Sequence, residues 1–411
     1  MKAQRLDIIA TLPQTIIETI LCLLPIEDAA RTSILSREWR YKWTTIPKLV
    51  FSLSTVVSLT ERRRLSNGKK IFRIKRDMRT KDRRCKLLQA ISQVLSLRQG
   101  PVQEFTLIMN VQDTKYEIDQ IMLDLSTNHT VLKLTLELTG FSLPMSLFSL
   151  HQLTDLSLNS CKIDRIPVFN GFGSLTSLSL EFVCISTECL MQLLCACPSV
   201  KSLKLLTTDD NTFRGLFLVS ASMVDTLVQS LFRTFPVMEF FKCLPVIEHL
   251  TTSRDISEYR VQVSVPEEIP ISLIHLKYFC FKEMRVDESN GWTFLFVLIK
   301  CSPNLEKIKL DVSDMLTDGG YCNEKFITFE EYSDVWLERL NELEVNDFSN
   351  SAPEMEFLKF ILARSPNLKK VILLTCMDDK NEELEMLTIL LSAPRASPVK
   401  IIVKNGRRSQ P

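Results

Sequence analysis

The sequence has little glycine, no long apolar run and almost no net charge. Only 10 of the 411 residues are glycine, which argues against a glycine-rich disordered chain and against a Rossmann-type phosphate loop. The longest obvious apolar run, Trp292 to Ile299, has eight residues, whereas a helix that spans a bilayer needs about 20. The formal net charge is +1, so the whole chain carries no strong field of either sign.

The first residues also lack a targeting signal. Met-Lys-Ala-Gln-Arg-Leu-Asp has neither the apolar core nor the small-residue cleavage site of a signal peptide. Since no membrane span is predicted either, we expect the protein in the nucleus, the cytoplasm or both. We expect no membrane partner.

Residues that could support metal binding or catalysis are sparse. The four histidines do not lie near a cysteine pair, and the 12 cysteines form no Cys-x-x-Cys, so a zinc site has little support. The sequence also has no Gly-x-Ser-x-Gly, no Walker loop and no His-Glu-x-x-His. We therefore expect no catalytic residues, no metal and no cofactor, and a function that lies in binding.

Residues 11–47 predict a small helical module. Pro13 suits the first position of a helix, where its missing N–H costs nothing. Apolar residues then recur at helical spacing until Pro25 ends the helix. These residues are Ile16, Ile17, Ile20, Leu21 and Leu24.

Two more helices are predicted in the same module. Glu27 and Asp28 favour the start of the second, because acidic residues stabilise a helix N-terminus. Ser36 can cap the third, which carries Trp39 and Trp43 on one face. Three helices in fewer than forty residues bury too little apolar surface to fold well alone. The module therefore needs a partner, either the rest of its own chain or another protein.

These motifs resemble the F-box. The match runs in order and spacing through Leu12-Pro13, Leu24-Pro25-x-x-Asp28-Ala29 and Arg31-Thr-Ser-x-Leu-Ser-x-x-Trp39-Arg-x-x-Trp43. Its last part is similar to the large plant family that joins an F-box to leucine-rich repeats and a C-terminal FBD region. The resemblance implies docking on the Skp-type adaptor of a cullin–RING ubiquitin ligase.

The resemblance also assigns an adaptor-binding surface. Several of the matching residues can equally hold the module's own core, and the sequence does not divide the two roles. The matching residues are Leu12, Pro13, Ile16, Ile17, Ile20, Leu24, Pro25, Leu35, Trp39 and Trp43.

Residues 62–86 form a basic tract. Thirteen Lys or Arg residues stand against two acidic ones, a local charge of +11. Such a tract is typical of a nuclear-import or nucleic-acid patch, or of a solvated loop, which here would enter a helix near Lys86. Only Phe72 offers an aromatic ring for base stacking. We therefore favour the loop and expect no nucleic-acid partner, while nuclear import stays open.

From about residue 87 the chain repeats the pattern Leu-x-x-Leu-x-Leu, with other apolar residues as substitutes. Steps of 29, 22, 22 and 25 residues in the first group bracket the period of leucine-rich repeats. Each unit predicts one short strand whose alternate side chains enter a core shared with its neighbours. The nine motifs begin at Val102, Val131, Leu153, Leu175, Val200, Leu273, Leu305, Leu340 and Leu368.

Helices are predicted between several of these strands. In three cases a proline follows the helix and a strand begins shortly after it, as expected of a residue that cannot continue a helix. The predicted helices are Glu188–Cys195, Phe294–Lys300 and Met355–Arg364, and a further helix at Glu382–Leu391 precedes a last strand at Val399–Val403. The period fails only in residues 207–270, and residues 340–373 resemble an FBD region.

The predicted fold class is therefore α/β. A three-helix F-box is followed by a leucine-rich-repeat solenoid, a horseshoe, that ends in an FBD region. The expected boundaries are 8–54 for the F-box, 55–86 for a basic linker or insertion, 87–325 for the leucine-rich repeats, 326–404 for the FBD region and 405–411 for a tail.

The polar positions between the apolar ones predict a recognition face. In a solenoid such positions line the concave surface. No sign of charge and no aromatic cluster on this face identifies a ligand class. The predicted target-binding residues are Lys133, Thr135, Glu137, Asp155, Ser157, Asn159, Ser177, Ser179, Glu181, Ser202, Lys204, Lys307, Lys309 and Asp311.

The resemblance and the repeats together imply a substrate receptor of an SCF-type E3 ligase. The F-box would hold the adaptor, the repeats would bind a target protein, and other subunits would transfer ubiquitin. Two alternatives stay open. One is a repeat scaffold without a degradative role, and the other is a nuclear nucleic-acid binder that acts through residues 62–86.

Overall fold

The computed structural model describes most of the chain, in two compact units. The units are Met1–Cys197 and Pro198–Pro411. Among the helices that the structure describes, none has the length and apolar character of a membrane span. The described residues are 12–53, 74–110, 115–206, 237–253, 273–286, 289–313, 332, 334–375 and 380–405.

The first unit opens with the helical module. Its α-helices are Gln14–Leu21 (α1) and Ile26–Arg31 (α2), and each follows a proline at its N-cap. The predicted third helix, with Trp39 and Trp43, is present as the 3₁₀-helix Trp39–Thr45 and not as an α-helix, and a shorter 3₁₀-helix, Thr32–Ile34, precedes it.

Threonine hydroxyls explain the tighter winding. Thr32 Oγ1 donates to the carbonyl of Ala29 at 2.6 Å, and Thr44 Oγ1 donates to that of Tyr41 at 2.6 Å. Bonds from a side chain to a carbonyl three residues back compete with α-helical pairing.

A parallel sheet makes up the rest of the first unit. Its first five strands lie side by side in sequence order, and the short sixth pairs with the end of the fourth. The strands are Lys48–Ser52 (β1), Glu104–Asn110 (β2), Lys133–Ser142 (β3), Asp155–Ile163 (β4), Ser177–Glu181 (β5) and Cys184–Ile185 (β6). The connecting helices are Ile74–Ser96 (α3), Lys115–Asn128 (α4), the 3₁₀-helix Met145–Ser149 and Thr187–Cys195 (α5).

The strands of the second unit are also parallel and lie side by side in sequence order. In neither unit does the strand order return to its first strand, so neither sheet is a closed barrel. Its strands are Ser202–Leu206 (β7), His249–Ser253 (β8), Tyr278–Met284 (β9), Lys307–Val312 (β10), Glu342–Phe348 (β11), Lys370–Thr375 (β12) and Lys400–Asn405 (β13). The helices are Val237–Lys242 (α6), Ser289–Cys301 (α7), Ala352–Arg364 (α8) and Lys380–Ser392 (α9).

The motif residues form the core because the strands pair in register. Leu134, Leu156 and Leu178 occupy the same position on β3, β4 and β5, and each is at most 2% exposed. A single repeat could not bury such a row, so each strand depends on its neighbours. The α/β class and the four predicted helices between and after the repeats are confirmed.

One predicted motif is wrong by three residues. The strand does not follow from Leu273, because β9 begins at Tyr278, which pairs with Lys307 of β10. The true motif starts at Leu276 and places Phe279 and Phe281 in the core, both 0% exposed. Leucines three residues apart fit the pattern in either register.

Two repeats were missed by the motif search. The first is β1, whose Leu49 and Phe51 are buried. The second is β8, in the stretch where the period fails, where Thr252 occupies a buried motif position.

The basic tract is partly helical. Helix α3 begins at Ile74, not near Lys86, because Lys and Arg are good helix formers. Residues 62–73 of the tract, most of 207–270 and the predicted tail from 406 lie outside the described residues.

A left-handed residue recurs near the ends of the strands. Ser160, Phe182, Glu283 and Asp347 have φ between 54° and 57°, and each stands at the sixth position from the start of its strand. Side chains are crowded in this conformation, which costs about 1–2 kcal/mol in residues other than glycine. Its recurrence indicates a β-bulge that kinks each strand at the same level.

The first unit shows what the kink does. Gly140 of β3, with φ 74°, precedes a shift in pairing. Beyond it, Phe141 and Ser142 pair with Cys161 and Lys162 of β4. After the bulge, β3 and β4 therefore pair again in a shifted register.

We predict that position 160 tolerates glycine but not a β-branched residue. Ser160→Val should lower the free energy of unfolding by about 1–3 kcal/mol, since Val is strained at positive φ. Ser160→Gly should change it by less than about 1 kcal/mol. Urea unfolding of the full chain measures both, with Ser157→Val on the same strand as control. Equal effects of Val at 157 and 160 would contradict the strain.

Candidate functional site

The apolar stripe predicted on α1 divides into a core side and a solvent side. Ile17 and Leu21 are each 1% exposed, whereas Ile16, Ile20 and Leu24 are 45%, 41% and 41% exposed. Ile16 and Ile20 are four positions apart and so lie along one side of α1. Leu24 follows in the turn after the helix, which ends at Leu21 and not, as predicted, at Pro25. We call Ile16, Ile20 and Leu24 the apolar strip.

Further apolar residues of the module face solvent. Leu23 is 82% exposed, Ile34 84% and Leu35 67%, and Pro13 and Pro25 are exposed as well. So much exposed apolar surface on one short segment is typical of a protein-docking site. Leu23 and Ile34 were not among the predicted adaptor-binding residues, although each stands beside a predicted leucine.

The other predicted adaptor-binding residues lie inward. Trp39 and Trp43 are 7% and 9% exposed, so their aromatic rings belong to the core of the module together with Ile17. Leu12 is half-buried. Direct contact of these four residues with an adaptor stays a prediction.

A polar network fixes α1 against the second 3₁₀-helix. Gln14 Nε2 donates to Glu18 Oε1 at 2.9 Å and to Thr45 Oγ1 at 3.0 Å. Thr45 Oγ1 in turn donates to Glu18 Oε1 at 2.6 Å, and Lys42 Nζ donates to Gln14 Oε1 at 2.5 Å. Four side chains thereby connect α1, which carries Ile16 and Ile20 of the apolar strip, to the second 3₁₀-helix.

Arg98 attaches the module to the first repeats. Its guanidinium donates to the carbonyls of Trp43, at 3.3 Å, and of Ile46, where the second 3₁₀-helix ends. The next N–H, that of Gln99, donates to the carbonyl of Thr44 at 3.2 Å. Burial lowers the pKa of Arg98 to about 10, so it still carries its charge at neutral pH.

The backbone continues this attachment. The Pro47 carbonyl accepts from the N–H groups of Gln103 and Glu104 at 2.8 and 3.0 Å, and β1 then pairs along β2. A Cβ at Gly100 would lie 3.2 Å from the Thr45 backbone. The chain leaving the module is thus itself the first strand of the sheet.

We predict that Arg98→Met destabilises the first unit. The hydrogen bonds that this charged donor makes to the Trp43 and Ile46 carbonyls, and a longer one to Pro101 O at 3.4 Å, are lost, so the free energy of unfolding should fall by about 2 kcal/mol or more. Arg98→Lys should rescue only part of this, because an ammonium lacks the fork that reaches two carbonyls. Guanidinium unfolding of the full chain measures the loss. The control is the exposed Arg37→Met, and an equally small effect at both sites would remove the attachment role.

The predicted face residues of the first unit form three rows across β3, β4 and β5. The rows follow from the strand register, since partners stand side by side. The middle row contains only hydroxyl side chains and continues to Thr106 on β2. The rows are Lys133–Asp155–Ser177, Thr135–Ser157–Ser179 and Glu137–Asn159–Glu181.

In the second unit the predicted residues of β10 are held by ion pairs. Lys307 Nζ lies 2.6 Å from Glu342 and 3.5 Å from Glu344, and Lys309 Nζ lies 2.6 Å from Glu344. Asp311 pairs with Lys282 of β9. Ser202 and Lys204 lie on β7, on the same register positions as His249 and Thr251.

The partners of these lysines were missed by sequence reasoning. Glu342 and Glu344 of β11 stand opposite Lys307 and Lys309, at the outward positions that the repeat assigns. Lysines at the outward positions of one repeat and glutamates at the same positions of the next repeat could therefore have predicted these ion pairs.

Pairing shifts the ionisation of this face. The hydrogen bond from Lys307 lowers the pKa of Glu342. Burial raises the pKa of Glu344, but its bonds with Lys309 and Lys307 outweigh burial and lower it overall. The pKa of Lys307 is raised by the hydrogen bond to Glu342. Lys307, Lys309, Glu342 and Glu344 are therefore all ionised at neutral pH, and we call this group the ion-pair ladder.

Buried thiols in the described residues are poor nucleophiles. Burial raises the pKa of Cys161 and of Cys197 to about 12 and that of Cys301 to about 11. A thiol is reactive as its thiolate, which is scarce at neutral pH in these three. Among the described residues no three His, Cys, Asp or Glu side chains are grouped as a metal site requires.

Comparisons with known proteins match both parts of the chain. A family model described as the F-box domain matches residues 9–51. A model described as the LRR repeats of FBD-associated F-box protein At5g56370 matches residues 123–269.

Whole-length relatives come from Arabidopsis thaliana. The F-box/FBD/LRR-repeat protein At1g13570 is 30% identical over 422 residues, which cover 95% of this chain and 97% of the relative. The FBD-associated F-box protein At5g56370 is 25% identical over 423 residues, 93% and 94% of the two chains. The F-box/FBD/LRR-repeat protein At3g26920 is 23% identical over 440 residues, 95% and 94%.

We predict that Glu344→Gln weakens the ladder in a pH-dependent way. A carboxylate with a lowered pKa stabilises the fold above its unfolded pKa, near 4.5, and this stabilisation is lost as pH falls through the folded value. At pH 7 the variant should lose about 1 kcal/mol, because Lys309 is left without its partner.

The difference from the natural protein should shrink as pH falls below about 4.5. Urea unfolding at several pH values measures it. The control is Glu338→Gln, an exposed carboxylate. A loss for Glu344→Gln that stays constant with pH would contradict the ion-pair ladder.

Proposed function

Because the chain belongs to the F-box/FBD/LRR-repeat protein family, we propose that it is the substrate-recognition subunit of an SCF-type cullin–RING E3 ubiquitin ligase. In this proposal the F-box docks on a Skp-type adaptor and the repeats bind a target protein. The single observation that carries the adaptor step is the apolar strip, which the module leaves in solvent although Ile17 and Leu21 beside it are buried.

The strip has the chemistry of a docking surface. Burying a large aliphatic side chain contributes about 1.5–3 kcal/mol, and Ile16, Ile20 and Leu24 are each more than two-fifths exposed. Ile17, Trp39 and Trp43 would then act by holding the core on which the strip rests. Leu35 and the unpredicted Ile34 and Leu23 offer further apolar area in the same module.

The target-binding step is assigned to the outward rows of the strands. We propose that the repeats curve as a horseshoe with these rows on the concave side. Neighbouring strands lie about 4.8 Å apart, whereas helices pack about 8–10 Å apart, so a layer of helices is wider than the layer of strands. This difference favours curvature with the strands inside.

The chain would contribute proximity and no chemistry of its own. Holding a target beside the ubiquitin-carrying subunits turns an encounter in solution into one at high local concentration. We propose that this takes place in the nucleus, the cytoplasm or both, and without a cofactor.

Adaptor binding should fail when the strip becomes charged. We expect the double change Ile16→Glu and Ile20→Glu to weaken binding of a purified Skp-type adaptor by about 100-fold or more, because two carboxylates would be buried in the interface. Isothermal titration calorimetry with the full chain measures it. The matched control is Leu123→Glu, 44% exposed on α4.

Equal affinity of the charged variant and the control would place the adaptor elsewhere. Unfolding curves check that both variants remain folded, which the exposure of the changed side chains favours. A protein that binds the adaptor but whose loss leaves bound partners at unchanged abundance would support a non-degradative scaffold instead.

A further inference from the structure

A cavity of about 330 Å³ opens at the C-terminal ends of β3 and β4 in the first unit. Four elements meet there. The end of β3 contributes Ser142 and Leu143, the end of β4 contributes Ile163 and the residues after it, and the 3₁₀-helix Met145–Ser149 and α4 close the sides. Its volume lies in the range of sites for small ligands or single side chains.

The strand bulges produce this opening. Gly140 and Ser160 kink β3 and β4 at the same level. Phe141 and Ser142 pair again with β4 only beyond the kink, and the Leu143 N–H then donates to the Lys162 carbonyl at 2.9 Å. Bulges often occur beside functional sites, where they re-aim side chains.

The floor of the cavity is apolar and held in place. Leu143, Phe148 and Ile163 are 5%, 4% and 3% exposed. The Phe148 ring lies 5.1 Å from Phe169 and 6.0 Å from Phe172, centroid to centroid. Packing of this kind fixes rotamers, so the floor is formed before a ligand arrives. Met145, 37% exposed, adds a flexible apolar wall.

One of the two carboxylates is already satisfied. Asp164 Oδ2 accepts from Ser142 Oγ at 2.5 Å, and Asp164 Oδ1 lies 2.6 Å from Lys162 Nζ. Its charge is balanced within the wall.

Two polar groups keep free capacity. Asp119 Oδ1 accepts from Ser146 Oγ at 2.5 Å, while within the part of the chain that the structure describes Asp119 Oδ2 has no hydrogen-bond donor. By the same measure the Arg165 guanidinium has no acceptor. The cavity therefore offers one negative acceptor and one positive donor above an apolar floor.

A neutral amide has the donor and the acceptor that these two groups require. A cationic side chain would be opposed by Arg165, and an anionic one by Asp119, so neither fits as well. A peptide unit has one N–H donor and one carbonyl acceptor. Its side chain would supply the apolar body that the floor accommodates.

We propose that this cavity is the anchor pocket for one large apolar residue of the target polypeptide. The peptide N–H donates to Asp119, its carbonyl accepts from Arg165, and the side chain lies against Phe148 and Met145. The identity of the ligand as a ligase target rests on the proposed function, whereas peptide binding by the pocket does not.

The test uses blocked amino acids as probes on the full chain. N-acetyl-phenylalaninamide and N-acetyl-leucinamide should bind with dissociation constants on the order of 1 mM, as expected for ligands of this size. N-acetyl-alaninamide should bind about 10-fold or more weakly, since the apolar contact is lost. Saturation-transfer NMR measures each affinity.

Variants of the exposed wall locate the site. Met145→Asp should weaken the phenylalanine probe about 10-fold or more by placing a charge in the apolar wall. Arg165→Met should weaken it about 3- to 10-fold through the lost donor. The control, the exposed Arg339→Met in the second unit, should leave the affinity unchanged. Thermal unfolding curves check that each variant is folded.

The proposal would be overturned by no binding of the two large probes, by equal binding of the alanine probe, or by wild-type affinity in both pocket variants. Toluene binding as tightly as N-acetyl-phenylalaninamide would also do so, because the amide would then be irrelevant. Adaptor affinity of Met145→Asp is measured in parallel and should be unchanged. Probe binding without adaptor binding would instead count against the ligase role alone.

Discussion

In-register parallel pairing is the constraint on which the rest of this structure depends. Most of the strands bury three apolar motif positions that no single repeat can cover, so a strand is stable only beside its neighbours. The register that stacks Leu134, Leu156 and Leu178 also fixes the residues between them. The hydroxyl row of the first unit and the lysine–glutamate ladder of the second are consequences of the same alignment.

The helical module is subject to the same constraint at its C-terminal end. It does not end in a free linker, because β1 leaves it and pairs at once along β2. Arg98 then binds the carbonyls of Trp43 and Ile46, where the second 3₁₀-helix ends. The module and the sheet are therefore joined by hydrogen bonds of a half-buried guanidinium, which are stronger than hydrogen bonds between neutral groups.

The sequence predicts what depends on periodicity and misses what depends on backbone detail. Leucine spacing suffices for most strands, and helical spacing for four of the helices, although α4 and α6 were not predicted. Leu273 and Leu276 fit the strand pattern equally, and Thr252 obscures a repeat because it places a hydroxyl in the core. Threonine hydroxyls that wind Trp39–Thr45 as a 3₁₀-helix compete with α-helical bonds by small energies. The left-handed conformation of Phe182 has no signal in its residue type at all.

For the candidate site the limit is different. Helical spacing puts Ile16 and Ile17 in the same stripe, yet one is 45% and the other 1% exposed, because 100° of helix separates adjacent side chains. A sequence stripe gives the apolar residues but not the line between core and surface. The structure shows which of these residues are buried, and Trp39 and Trp43 are among the buried ones.

Charge pairing bears on where a target would gain its affinity. Lys309 and Glu344 already satisfy each other, so a charged ligand on that face must replace an existing pair and remove water from its own charge as well. The net free energy of such an exchange is close to zero, so charged contacts on this face would contribute more to selectivity than to affinity. An apolar anchor in a preformed pocket has no pair to displace and gains its burial directly. The cavity would then supply most of the binding affinity, and the outward rows would supply most of the selectivity. The outward rows alone, with solvated side chains, would not provide both.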